Sequence, residues 1–248
     1  MASEDYVYGL HAVAALLAQR PGSIKKLLHA RGAKNAQLDG LIESTVAAGV
    51  AVQTVPRSEL DALLPGARHQ GVIAVVRAVS YERSEKTLPD FLTALTEPAL
   101  LLVLDGVQDP HNLGACLRTA DAAGAHAVIL PRDRASGITP VVHKVACGAV
   151  ESVPIFPVTN LARTLRLLRE AGLWIYGASD DADEGLFSSD LQGPVALVLG
   201  GEGKGLRRLT REHCDHLLAI PMAGQVESLN VSVAAGVLLF EARRQRMM

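Results

Sequence analysis

Three stretches carry residues whose types and spacing could do chemistry together. The first runs from Asp105 to Arg118, the second is Leu199-Gly-Gly-Glu-Gly-Lys-Gly-Leu206, and the third runs from Ile220 through Ser228 to Asn230. Each is polar, contains glycine and follows an apolar run that reads as a strand. Polar loops at the ends of parallel strands meet at one end of an α/β sheet and make one site. The set offers side-chain amides (Asn112, Asn230), a cation (Arg118), an anion (Glu202) and a hydroxyl (Ser228), beside backbone free to bind a ligand.

Each stretch also has a plainer reading. Asn112 suits the N-cap of a helix over 112–123, whose Leu113, Leu117 and Ala120 share an apolar stripe. Arg118 lies off that stripe and is expected to lean back past Gly114 toward Asn112; otherwise it is a surface arginine beside an ordinary cap. The second stretch fails the phosphate-loop pattern, because Val198 stands where the first glycine belongs and Gly205 follows Lys204. It also lacks the dinucleotide glycine spacing. Its glycines either admit close backbone approach to a ligand or form a simple turn. Asn230 would cap a final helix with Val233, Ala234, Val237 and Leu238 buried, which leaves Pro221 to Gly224 unexplained. His213-Cys-Asp-His216 has no complementary pair, so no metal is expected. Asp180, Asp181, Asp183 and Glu184 read as a solvated loop, and no GxSxG elbow supports a serine triad.

The elements that must position these loops follow from composition and pattern. The chain has 248 residues, 49% hydrophobic, 20% charged and 4% aromatic. Ala, Val and Leu must therefore fill the interior, which suits parallel strands covered on both faces by helices. Residues 5–80 read as a small α/β unit, with helices at 12–18, 36–48 (ended by Gly49) and 58–64 (capped by Ser58), and strands at 23–30, 50–55 and 72–79. A polar piece from Tyr81 to Asp90 reads as linker. Beyond it, strands are expected at 99–104, 126–130, 153–157, 173–177, 195–199 and 216–220. Helices are expected at 112–123, 140–148, 160–170, 206–212 and 230–245. This alternation implies βαβ units and a mostly parallel sheet.

Net charge is −2, so any nucleic-acid contact must come from local patches. Lys25, Lys26, Arg31 and Lys34 form one; Arg207, Arg208 and Arg211 a second; Arg243, Arg244 and Arg246 a third; each also reads as a solvated face. Three separated cysteines, no apolar membrane span and no leader pattern at the first residues lead to an expectation of a reduced, cytoplasmic setting.

Together, Asn112-Leu-Gly-Ala-Cys-Leu-Arg118, Leu199-Gly-Gly-Glu-Gly203 and Ile220-Pro-Met222 through Ser228-Leu-Asn-Val-Ser-Val-Ala234 resemble the motifs of the SpoU/TrmH family, the SPOUT-class RNA 2′-O-methyltransferases. The resemblance covers roughly residues 98–246. Tyr8-Gly-Leu-His-Ala-Val13 and His69-Gln-Gly-Val-Ile-Ala74 look like the substrate-binding domain of the branch acting on guanosine in bacterial 23S ribosomal RNA.

The resemblance implies an RNA-binding domain at 1–80 similar to the ribosomal L30e fold, a linker at 81–97 and a methyltransferase domain at 98–248. The latter would be a parallel sheet tied in a trefoil knot. It implies S-adenosylmethionine bound near Gly200, Gly201, Ile220, Met222 and Leu229, with a homodimer as the working form. Arg118 would act on the ribose hydroxyl, as base or as electrostatic clamp. Asn112 and Glu202 would orient it and the substrate, and Ser228 and Asn230 would contact the nucleotide or shape the knot. A ribose methylase acts on RNA and not DNA, because only RNA carries the 2′-hydroxyl. Transfer RNA is the alternative substrate, disfavoured by the lack of a basic extension after the last helix, and a non-catalytic RNA-binding paralogue is the other rival.

Overall fold

The structure, a computed structural model, describes residues 5–32, 36–76, 82–133, 135–201, 203 and 205–247. In chain order the first elements are β1 (Asp5–Tyr8), α1 (Leu10–Gln19), β2 (Ile24–Ala30), α2 (Ala36–Ala47), β3 (Ala51–Val55), α3 (Arg57–Leu63) and β4 (Val72–Val76). Next come α4 (Leu88–Thr93), β5 (Leu100–Asp105), α5 (Pro110–Ala123), β6 (Ala127–Pro131), α6 (Pro140–Ala146) and α7 (Ala149–Ser152). The last are β7 (Ile155–Val158), α8 (Leu161–Glu170), β8 (Trp174–Ala178), β9 (Glu184–Gly185), β10 (Val195–Gly200), α9 (Arg208–Glu212), β11 (His216–Ala219) and α10 (Val231–Arg246). The chain forms two compact units, one of residues 1–81 with 138–152, the other of residues 82–137 with 153–248.

The first unit is built on a four-stranded sheet of order β1-β4-β2-β3, antiparallel except for the β2–β3 pair. Strand alternation divides its core. Val72, Ala74 and Val76 of β4 join Val13, Leu16, Leu27, Leu38 and Leu41 under α1 and α2. Ile73 and Val75 face the other way, with Leu28, Val55 and Leu60. Ser58 does not cap α3; the N-cap is Pro56, whose side chain offers no acceptor. His69 is buried and structural: its Nε2 meets Asp61 Oδ1 at 2.9 Å and its Nδ1 accepts from Gly71 N at 3.0 Å. Gln70 Oε1 accepts from Leu10 N at 3.2 Å and Lys144 Nζ at 2.8 Å, tying α1 and α6 to one turn. Helices α6 and α7 pack on β1 and α1 so closely that a Cβ on Gly148 would lie 2.5 Å from Ala15 Cβ.

Glu151 on α7 is buried, and neither carboxyl oxygen accepts a hydrogen bond from a described residue. Arg20 Nε lies 3.6 Å from Oε2. Burial pushes the carboxyl up to about 7 from an ordinary 4.5, with Arg20 opposing. The folded state therefore holds this proton more tightly than the unfolded chain. That stability is present in full below about pH 4.5 and is lost as pH rises through 7. Glu151→Gln is expected to flatten this part of the pH dependence and to raise stability at pH 8 by about 2–3 kcal/mol. Urea denaturation between pH 5 and 8 checks it, and an unchanged slope would refute it.

The second unit is a seven-stranded, wholly parallel sheet of order β7-β6-β5-β10-β8-β11-β9. Its central strands are apolar because both faces are covered. Leu101 and Val103 of β5 pack with Leu88, Leu161, Leu165 and Leu168 from α4 and α8. The alternate residues Leu100, Leu102 and Leu104 are equally buried and face the opposite side. Helices α5 and α10 pack against each other, and α10 also meets β10. The buried positions of α10 are Val231, Ala235, Leu238, Leu239, Glu241 and Ala242, whereas the expected core residue Val233 is 52% exposed. Arg246 closes that helix by donating to four carbonyls, those of Pro98, Ala99, Leu191 and Gly193.

Candidate active site

Strand β5 leads through α5 to β6 on one side, and the chain after β10 reaches β11 on the other. Adjacent strands whose connections diverge leave a crevice beyond their carboxyl ends, where α/β sheets bind ligands. Asp105 ends β5 and Gly200 ends β10, in direct register.

The glycine loop is joined to the first loop by backbone. Gly201 N donates to Asp105 O at 3.1 Å, and an added Cβ on Gly201 would lie 2.7 Å from Gly106 O. A Cβ on Gly200 would collide with the Gly205 carbonyl and Leu206 N. Gly201 pairs with Gly205 in an antiparallel bridge, and Gly203 and Gly205 take φ of +70° and +59°. The close approach that these glycines permit is therefore to the chain's own backbone. Glu202, expected to orient the arginine and the substrate, lies outside the described residues, as does Lys204.

Asn112 is not the cap of α5. Asp109 is, its Oδ1 accepting from His111 N at 2.9 Å, with Pro110 at the first helical position. Asn112 sits inside the first turn, buried, and its Oδ1 accepts from Asn230 Nδ2 at 3.0 Å. Asn230 caps α10 as expected, its Oδ1 accepting from Ser232 N at 2.9 Å. One hydrogen bond thus joins the first and third loops across 118 residues.

Arg118 is exposed on α5, and no described residue hydrogen-bonds or ion-pairs with it. It does not meet Asn112. Six residues at 3.6 per turn set the two about 120° apart around the helix, so Arg118 follows Gly114 and His111 instead. Ser228 is exposed and bonds to no described residue; Ile220 and Leu229 are half-buried, and Met222 is 37% exposed. The amides of residues 222–229 donate to no described backbone carbonyl. The same loop carries apolar Ile220, Met222 and Leu229, so it offers both backbone donors and apolar side chains to a ligand.

Asp105, which opens the first loop, and Arg207, of the second basic patch, join this set as a pair. Buried Asp105 accepts from Arg207 N at 3.0 Å and from the Arg207 guanidinium. An acid closing an otherwise apolar strand was the available signal, since a buried carboxylate needs a cation. The other arginines of that patch are paired, Arg208 with Glu212 and Arg211 with Asp181 and Ser179. The His213–His216 run is also spent on structure: His213 Nδ1 meets Leu209 O, Cys214 Sγ donates to Thr210 O, Asp215 accepts from Ile175 N and His216 Nδ1 lies 3.2 Å from Glu184.

Residues 99–240 match the model of the SpoU rRNA Methylase family, and residues 6–82 match that of RNA 2′-O ribose methyltransferase substrate binding. The 23S rRNA (guanosine-2′-O-)-methyltransferase RlmB of Photorhabdus laumondii is 54% identical over 242 residues, covering 98% of each chain. Its namesake in Escherichia coli K12 is 52% identical, covering 98% of this chain and 99% of the relative. The crystal structure of the SpoU methyltransferase AviRb from Streptomyces viridochromogenes with the cofactor AdoMet is 27% identical, with a TM-score of 0.79, covering 99% of this chain and 92% of that one.

Proposed function

Because the chain belongs to the SpoU rRNA methylase family, we propose that it methylates the 2′-hydroxyl of a guanosine in 23S ribosomal RNA, using S-adenosylmethionine. The observation that carries this reading is identity above 50% over both units with relatives of that named activity. The substrate-binding match at 6–82 supports the N-terminal unit as the RNA-recognising module.

The cofactor supplies an electrophilic methyl group on a sulfonium, and the chain's own residues do the rest. The free amides of 222–229, with Ile220, Met222 and Leu229, would hold its adenine, and the Gly200–Gly201 backbone would border it. The ribose oxygen must lie in line with the methyl carbon, a positioning task. Asn112 and Glu202 would orient the substrate, and Ser228 and Asn230 would contact the nucleotide or shape the knot. Arg118 is assigned to the reacting hydroxyl. As base it would accept the hydroxyl proton on a neutral guanidine nitrogen; as a guanidinium it would stabilise the developing alkoxide while the proton leaves to solvent.

A homodimer is supported by α10, where Val233 and Phe240 stand two turns apart, 52% and 51% exposed, with half-buried Val237 between them. No helix among the described residues is long and apolar enough to cross a membrane, which agrees with a cytoplasmic enzyme.

Mapping ribose methylation in cellular RNA with and without this gene tests the function. One 2′-O-methylguanosine in 23S RNA is expected to vanish. A lost mark in transfer RNA would favour the alternative substrate, and an unchanged map would end the methyltransferase reading.

A further inference from the structure

Asp105 and Arg207 are 102 residues apart in sequence, yet they bracket the glycine loop. Asp105 receives Gly201 N on its carbonyl and Arg207 N on its carboxylate, so both feet of the loop rest on one residue. Arg207 Nε and Nη2 both reach Asp105 Oδ1. The carboxylate is wholly buried, while the arginine side chain is 43% exposed. One edge of the planar guanidinium is therefore fixed by the protein, and its Nη1 meets no described residue. A guanidinium pinned along one edge presents its remaining N–H groups in a fixed direction, which a mobile lysine ammonium cannot do. It stands at the carboxyl end of β5, the end of the sheet that holds the candidate site.

We propose that Arg207 is a substrate-binding residue, a phosphate clamp for the RNA backbone beside the target nucleotide, with Asp105 as its positioning residue. This rests on the RNA substrate proposed above. The buried carboxylate needs a cation, and the half-exposed guanidinium that supplies it leaves its outer edge to solvent. The guanidinium adds a directed cation at the mouth of the crevice. Its bidentate geometry suits two phosphate oxygens.

The test uses the full-length protein and a 23S RNA fragment, with RNA affinity measured at several salt concentrations between 50 and 200 mM. Each phosphate contact contributes roughly 0.7–0.9 to the slope of log K against log salt. Arg207→Gln is expected to weaken RNA binding about 5- to 20-fold and to reduce that slope by about one. S-adenosylmethionine affinity by calorimetry should stay within about threefold. Arg207→Lys keeps the charge that the buried carboxylate needs and is the variant to use if the glutamine does not fold; it should recover the slope while raising KM for RNA. Unchanged RNA affinity and slope in Arg207→Gln would overturn the proposal, as would a lysine variant whose slope matches the glutamine variant's. Loss of cofactor affinity alone would reduce the pair to a brace for the glycine loop and overturn it too. Wild-type protein that binds no RNA would sink the substrate reading itself, and this clamp with it.

Discussion

Arg118→Lys is expected to lower the single-turnover rate of methyl transfer by about 10²–10³-fold, with S-adenosylmethionine affinity within about twofold of wild type. The substitution keeps a positive charge on an exposed face of α5, where Arg118 bonds to no described residue, so the fold should lose little. What it removes is the planar fork. Whether the guanidinium takes the proton or stabilises the alkoxide, it must meet the ribose oxygen at a set angle, and an ammonium on a flexible stem does not reproduce that. A near-normal rate with saturating RNA would remove Arg118 from the reaction. A reduced rate rescued by more RNA would make it a binding group instead.

Gly200→Ala is expected to disable the site through geometry alone. Its Cβ would be driven into the backbone of Gly205 and Leu206, which have no side-chain rotamer by which to yield. Overpacking usually costs about 1–3 kcal/mol, and backbone on the opposing side puts this case at the upper end or beyond. The loop would have to open, moving Gly201 away from Asp105 O and disturbing the Arg207 contact. We expect a fall of about 3 kcal/mol in unfolding free energy and loss of measurable cofactor binding. Gly193→Ala is the control, since nothing lies within 4 Å of its added carbon and it is absent from the left-handed set. A Gly200→Ala protein within 0.5 kcal/mol of wild type by urea denaturation would show that the crossing tolerates a methyl group.

Periodicity made most elements legible. Val72 to Val76 alternates between two core faces as a central strand must, and Leu100 to Asp105 is apolar until its last residue. The one helix whose buried stripe was misread is α10. Its Val231, Ala235, Leu238 and Ala242 lie inward; of the expected Val233, Ala234, Val237 and Leu238 only Leu238 is buried. A helix rich in small and apolar residues carries little amphipathic contrast, so its phase is weakly specified. At α5 the Asp109–Pro110 pair was itself a start signal, overlooked in favour of Asn112 three residues into the element. Helix α4, within the stretch expected to be linker, has Pro89 in its first turn and the buried anchor Leu88. Long-range pairs were beyond any local pattern. Nothing near Asn112 names Asn230, and nothing near Asp105 names Arg207.

The packing of residues 138–152 on β1 and α1 has a consequence for how the polypeptide matures. A nascent chain that has emerged only as far as residue 81 lacks α6 and α7, and Ala15 has no Gly148 to meet. Seventy-one further residues, 82–152, must leave the exit tunnel first, about 4–14 s of translation at 5–20 residues per second. Through that interval the amino-terminal sheet waits with one flank uncovered. A frameshift or stop between these points should therefore leave it a ready substrate for chaperones and proteases.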